Sequence, residues 1–297
     1  MLKPLLVLLF LSLFCSFVRA NETQETVQQY RVLADSSQQD SSTTYFRLLL
    51  EKALNETIEE YGAYKLVTME LPYSQDRSLQ FLNQVDILDI MHSVSSSKRE
   101  QQFIAIKFPL LAGLMGKRML FVHKSSLPDF STITNADKLR KKIACQGLHW
   151  PDSDILEANN YAVTRVVRFE AMFEMLMLGR CDYFPRGIHE IVPEFNEFSQ
   201  QYPNLAVVQK LILSYPAPVY FFVGLHNKKL AERLELGLKR LKLNGSFEEM
   251  LKRNPLTQHV FPLSKWRDVT VFPLNNRDFP QIKVNVTSED WLNSGPE

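Results

Sequence analysis

The chain has 297 residues but only three cysteines, and no charge excess of either sign: 34 Lys and Arg stand against 33 Asp and Glu. Such a balance excludes the basic face that a phosphate backbone calls for, so nucleic acid is not an expected partner. There is no H-E-x-x-H, no G-x-S-x-G and no Cys/His cluster at metal-ligand spacing, and the six histidines are scattered. No cofactor or metal is therefore expected, and catalysis has no motif to rest on. Beyond Ala20 no run approaches the roughly 20 apolar residues needed to cross a bilayer. Internal repeats and low-complexity tracts are absent as well.

What the sequence does have begins at its first residue. Lys3, the apolar stretch Leu5 to Phe14 and the ending Val18-Arg19-Ala20 read as a signal peptide over 1–20, cleaved after Ala20. Ser12 and Ser16 interrupt the apolar run and argue against a permanent anchor, and Leu13-Phe14 before Cys15 argue against lipid attachment. Export leaves Cys145 and Cys181 in an oxidising compartment, where they form one disulfide or remain as two buried thiols.

Strand-like and helical patterns then alternate, which predicts an α/β sheet protein. Strands are expected over Tyr30 to Ala34, Lys65 to Leu71, Val85 to Ile90, Met119 to His123, Lys142 to Gly147, Ala162 to Val167, Cys181 to Phe184 and Val219 to Val223. Helical spacing links Phe46, Leu49, Leu50, Ala53, Leu54 and Ile58, then Phe169 to Met177 ahead of Gly179, then Leu230, Leu234, Leu238 and Leu241. Ser246 and Glu249 have capping-box spacing for one more helix. The tail from Asn254 has little periodicity and is expected to wrap a surface.

Several segments, taken in order, resemble the amino-acid-binding (family 3) type of bacterial periplasmic solute-binding proteins. Val85 to Glu100 looks like the family's "Asp, apolar pair, then Thr/Ser-x-x-Arg" segment, with Asp86 and Arg99 in place, and Phe108-Pro109 echoes its "F-x-x-P". Asp137 to Gly147 is similar to the entry to the second lobe, and Leu178 to Asp182 to "L-x-x-G-R-x-D". The likeness is closer to one branch showing "Q-G-x-x-W-P-D", "G-R-x-D-Y-F-P-R-G-x-x-E" and "Y-P-A-P-x-Y-F-F-V", here Gln146 to Asp152, Gly179 to Glu190 and Tyr215 to Val223. It implies a type II periplasmic-binding fold, two doubly wound lobes joined by a two-strand hinge. The implied division is 21–122 for the first part of lobe 1, 123–218 for lobe 2, and 219–297 for the return to lobe 1 and the C-terminal tail.

In that architecture three segments are expected to reach the cleft. Gln146 to Asp154 offers Gln146, His149, Trp150 and Asp152, with Trp150 either a stacking wall or part of a packed helix cap. Phe184 to Glu190 offers Arg186, Gly187 and Glu190, Arg186 being able to fork onto a carboxylate or phosphate while Gly187 permits close approach or positive φ. Arg118 lies near the family's carboxylate-binding arginine, with a solvated surface charge as the plain alternative. Two departures stand out: Leu148-His149 replaces the Gly-Thr pair common in amino-acid binders, and Gly187 stands where they carry the carboxylate for the ligand's ammonium.

The expected function is reversible binding of a small polar solute in the periplasm, coupled to ABC-type transport through a membrane permease. The alternatives are a receptor docking a membrane sensor and, less favoured, an exported enzyme in which His149, Asp152, His189 and Glu190 converge.

Overall fold

The computed structural model describes residues 27–34 and 41–279; the expected signal peptide lies outside them. Two sheets organise the chain. The first has the order β2-β1-β3-β10-β4, made by β1 (Gln28–Leu33), β2 (Tyr64–Met69), β3 (Ile90–Val94), β4 (Ile104–Ile106) and β10 (Val219–Val223). The second has the order β11-β9-β5-β8-β6-β7, from β5 (Lys117–His123), β6 (Ile143–Gly147), β7 (Ala162–Val166), β8 (Tyr183–Gly187), β9 (Leu205–Ser214) and β11 (Thr270–Pro273). In the first, β1 runs parallel to β2 and β3, and β10 returns antiparallel between β3 and β4.

The helices lie largely where apolar spacing put them, although Ile58, expected on the first stripe, starts a separate short helix, Ile58–Tyr61, and is exposed. In Ser41–Asn55, Tyr45, Phe46, Leu49, Leu50, Ala53 and Leu54 are buried together, a 3.6-period stripe against the first sheet. Helix Lys228–Leu243 packs across it, close enough that a Cβ on Gly237 would come within 2.0 Å of the Ala53 carbonyl oxygen. The same helix buries Arg233, whose guanidinium donates to the Leu54 and Gly62 carbonyls at 3.2 and 2.9 Å and to Thr57 Oγ1 at 3.1 Å. Tyr30, Tyr61 and Tyr64 surround that cation with their rings. Carbonyls left over at a helix C-terminus are thus satisfied by a side chain from a remote helix.

Two passages carry the chain between the sheets, 107–116 outward and 215–218 back. They run side by side: Leu110 N donates to the Val219 carbonyl at 3.0 Å, and Tyr215 N to that of Gly116 at 3.0 Å. Gly116 is required there, because a Cβ would stand 1.9 Å from the Tyr215 oxygen. A third passage, after helix Ser246–Arg253, returns the tail to the second sheet as β11, parallel to β9.

Several expectations change. The boundary expected at 122/123 falls inside β5, all of which pairs in the second sheet, so the passage precedes Lys117. The strand expected over Val85 to Ile90 begins only at Ile90: Asp86 takes φ of 67°, and Asp86 and Asp89 turn onto Arg31 at 2.6 and 3.1 Å. The capping box at Ser246 does not form; Gly245 is the cap at φ 78°, and Asn244 Oδ1 accepts from Ser246 N at 3.0 Å. Cys145 and Cys181 form a disulfide tying β6 to the start of the chain into β8.

Candidate functional site

Strand ends in open α/β sheets gather at a crevice, and here the ends of β3 and β6 face one another from the two sheets. Between them lies a groove of about 580 Å³. The first lobe lines it with Asp76 and Gln80, with Ser96, Lys98 and Arg99 after β3, and with Gln101 and Gln102. The second contributes Leu148, His149, Pro151, Asp154 and Arg165, and the tail adds Asn275 to Asp278. Most of these side chains carry hydrogen-bonding groups.

Arg99 anchors the first-lobe wall. Ser96 Oγ caps the short helix Ser97–Gln102 by accepting from Arg99 N, and the guanidinium folds back to donate to Ser93 Oγ at 2.7 Å, the Val94 carbonyl at 2.6 Å and Asp76 Oδ1 at 2.6 Å. Across the groove Arg165 is held between Asp154 and Glu157 at 2.5 and 2.7 Å, and donates to the Leu148 carbonyl at 3.1 Å.

Of the residues expected in the cleft, His149 lies on the groove wall and is exposed. Arg118, Asp152, Arg186, Gly187 and Glu190 are brought together instead in a buried network inside the second lobe. Arg118 of β5 pairs with Asp152, donates to Glu190 Oε2 at 3.2 Å and to the Tyr215 hydroxyl at 3.1 Å. Tyr215 in turn donates to Asp152 Oδ1 at 2.6 Å. Arg186 of β8 lies 2.8 Å from Glu190 Oε1 and forks onto Glu194 at 2.7 and 2.5 Å. Gly187 sits in β8 opposite Arg118, without positive φ, and its N–H donates to Glu190 Oε2 at 2.7 Å. A Cβ there would meet His189 and Glu190 below 3 Å, so close approach is what this glycine provides.

Trp150 faces this network. Its ring stacks on Phe184 at 6.5 Å and 25°, and the Arg186 guanidinium lies 5.2 Å above it. Helix Pro151–Ala158 starts directly after Trp150, and Ser153 Oγ donates to the Gly147 carbonyl at 2.7 Å to close the turn. Gln146 is fully buried, and its Nε2 has no partner among the described residues.

The network's electrostatics follow from burial and neighbours. Burial would raise Glu190, but Arg186, His189 and Arg118 overcome it and bring it down to about 2. Glu194 is pushed up to about 7 by burial, against the pull of Arg186. Burial lowers His189 to about 4, leaving it neutral at pH 7, and lowers Lys117 to about 7, with its Nζ donating to Ser214 Oγ at 2.7 Å. Two guanidiniums thus face three carboxylates, and each cation is already matched inside the chain.

Sequence reasoning did not single out Lys98, Arg165, Tyr215, Glu194 or the tail. Tyr215 and Lys98 sit inside quoted motifs, and Glu194 follows Glu190 by one helical turn, so for these a signal was present. The tail residues gave none, because nothing in their spacing says they cross a groove. Among the described residues no group of three or more His, Cys, Asp or Glu is placed to hold a metal ion, and no helix is long and apolar enough to cross a membrane.

No protein-family model matches the chain, and no curated protein matches it in sequence. Solved structures do. A periplasmic His/Glu/Gln/Arg/opine family-binding protein from Silicibacter pomeroyi in complex with lysine is similar over 77% of this chain and 89% of its own, at TM-score 0.53 and 10% identity. An ancestral arginine-binding protein bound to arginine is similar over 76% and 97%, at TM-score 0.54 and 16% identity. A histidine kinase sensor domain with similarity to periplasmic binding proteins is similar over 76% and 86%, at TM-score 0.50 and 16% identity. The chain has the type II periplasmic-binding fold, with two α/β lobes.

Proposed function

We propose that the chain is an exported solute-binding protein that reversibly holds a small polar solute between its lobes and serves ABC-type transport through a membrane permease. The observation that carries this reading is the groove, about 580 Å³, lined by polar side chains from two lobes that two adjacent passages join. A ligand that touches both walls favours the closed arrangement by its differential contacts, the usual logic of hinge closure. The Cys145–Cys181 disulfide supports the periplasm as the working compartment.

Binding rather than catalysis is favoured because the candidate acid–base groups do not converge on the groove. Asp152 and Glu190 are committed to Arg118, His189 is buried, and His149 stands on the rim. The similarity to a sensor domain keeps a second reading, a receptor docking a membrane sensor, which shares the same solute site. The test is a thermal melt of ligand-stripped protein against a panel of amino acids, organic acids and sugars. Saturable stabilisation by one class supports binding, since a ligand at 100 times its Kd adds about 2.7 kcal/mol. A flat response across the panel at millimolar concentrations contradicts it.

A further inference from the structure

We propose that the C-terminal strap, residues 274–279, forms one wall of the binding site, and that Arg277 on it acts with Lys98 of the first lobe to select a small solute of net negative charge. The inference rests on the groove being the solute site.

The strap is built into place rather than lying loosely across the opening. Leu274 N donates to the Ser214 carbonyl at 2.8 Å, next to the return passage. Asn275 exchanges two hydrogen bonds with Asn159, its N–H reaching Oδ1 at 2.9 Å and its carbonyl accepting from Nδ2 at 2.8 Å. Asn276 is the pivot: buried, it donates through Nδ2 to the Pro216 carbonyl at 2.7 Å and accepts from Asp278 N at 3.0 Å. That Asx turn sets Arg277 and Asp278 on the groove wall, exposed.

The choice of charge follows from which ionic groups in the groove are already matched. Arg99 is paired with Asp76, and Arg165 with Asp154 and with Glu157, which stands outside the groove lining. Lys98 and Arg277 form no ion pair among the described residues, nor does Asp278, which leaves two cations against one carboxylate on the groove wall. Lys98 belongs to the first lobe and Arg277 to the strap fixed on the second. An anionic solute between them satisfies both, whereas a cationic solute adds to their repulsion. Two of the structural relatives named above hold lysine and arginine, so the proposal separates this chain from them.

The test is isothermal titration of ligand-stripped protein with L-glutamate, citrate, L-glutamine, L-arginine and L-lysine, repeated on Lys98→Ala, Arg277→Ala and Asp278→Asn. Binding of glutamate or citrate is expected, weakened about tenfold by each of the first two substitutions. Asp278→Asn is expected to tighten it by a few-fold, roughly what removing one partly screened like charge gives. A strap that only braces the fold cannot produce those opposite signs. Binding confined to the neutral or cationic members, or glutamate or citrate binding changed less than twofold by Lys98→Ala and Arg277→Ala, overturns this assignment while solute binding stands. No binding by any panel member, in this titration and in the wider melt, overturns the binding reading and this inference with it.

Discussion

At the scale of single residues, the second lobe is decided by Arg118 and Arg186, two cations that the chain neutralises itself. Taking one partner from such a pair leaves an unmatched buried charge, which costs about 3–5 kcal/mol. Arg118→Ala strands Asp152, and urea unfolding is expected to show a loss in that range, whereas a loss under 1 kcal/mol contradicts the network. Glu194 carries a pH signature. Its pKa is raised by burial from 4.5 to about 7 in the folded chain, so it binds its proton more tightly folded than unfolded. Its contribution is full below about pH 4.5 and falls as pH rises through 7, by at most about 1.4 kcal/mol per pH unit. Comparing Glu194→Gln with the parent at pH 4.5 and 7.5 isolates this: the parent is expected to lose stability relative to the variant between the two. His189, lowered to about 4, works in the other direction, contributing stability that disappears as pH falls from 6.5 through 4. The sequence named most of this network, but read its members as facing solvent or solute. Which cation meets which carboxylate depends on β5 pairing with β8 in the register Arg118 to Gly187, and pairing across some 70 residues of chain leaves no local pattern.

At the scale of elements, the regular patterns were legible and the irregular ones were not. Strands β5, β6, β7 and β10 and helices Phe169–Met177 and Lys228–Leu243 lie within a few residues of where apolar periodicity put them. The strand expected at Val85 failed because two aspartates prefer the remote Arg31 to an extended backbone, and a capping box gave way to a glycine already at positive φ. The disulfide was an open alternative in sequence; it is settled by β6 and the entry to β8 placing the two Cα atoms 5.6 Å apart. The cross-link closes a stretch with a sequence separation of 36. Its removal by Cys145→Ser with Cys181→Ser is expected to cost about 2–4 kcal/mol in urea unfolding. Unchanged stability, with the thiols shown to be oxidised in the parent, contradicts that role. Gly116 belongs to the same scale: Gly116→Ala forces the two passages apart at the Tyr215 carbonyl and is expected to lower the melting temperature by several degrees, as a loss of roughly 1–3 kcal/mol does in a chain of this size.

At the scale of the whole molecule, the order of short motifs was enough to imply two lobes, because the resemblance concerns architecture rather than any one contact. The course of the tail was not legible: residues 254–279 lack periodicity, yet they return to the second sheet, pair with β9 and run along the groove. Leu274, Asn275 and Asn276 hydrogen-bond to Ser214, Asn159 and Pro216, contacts that only the folded chain brings together. The proposed solute site sits at this scale too, since the groove exists only where both lobes and the tail meet. The most direct test is therefore to fill it. Ser97 is exposed on the first-lobe wall, so Ser97→Trp obstructs the space without entering a core. Calorimetric titration of the parent with the solute selected by the melting panel should give one saturable site, and the same titration of Ser97→Trp, folded and equally stable, should give heats of dilution alone. Undiminished binding to the blocked protein would contradict the groove as the site.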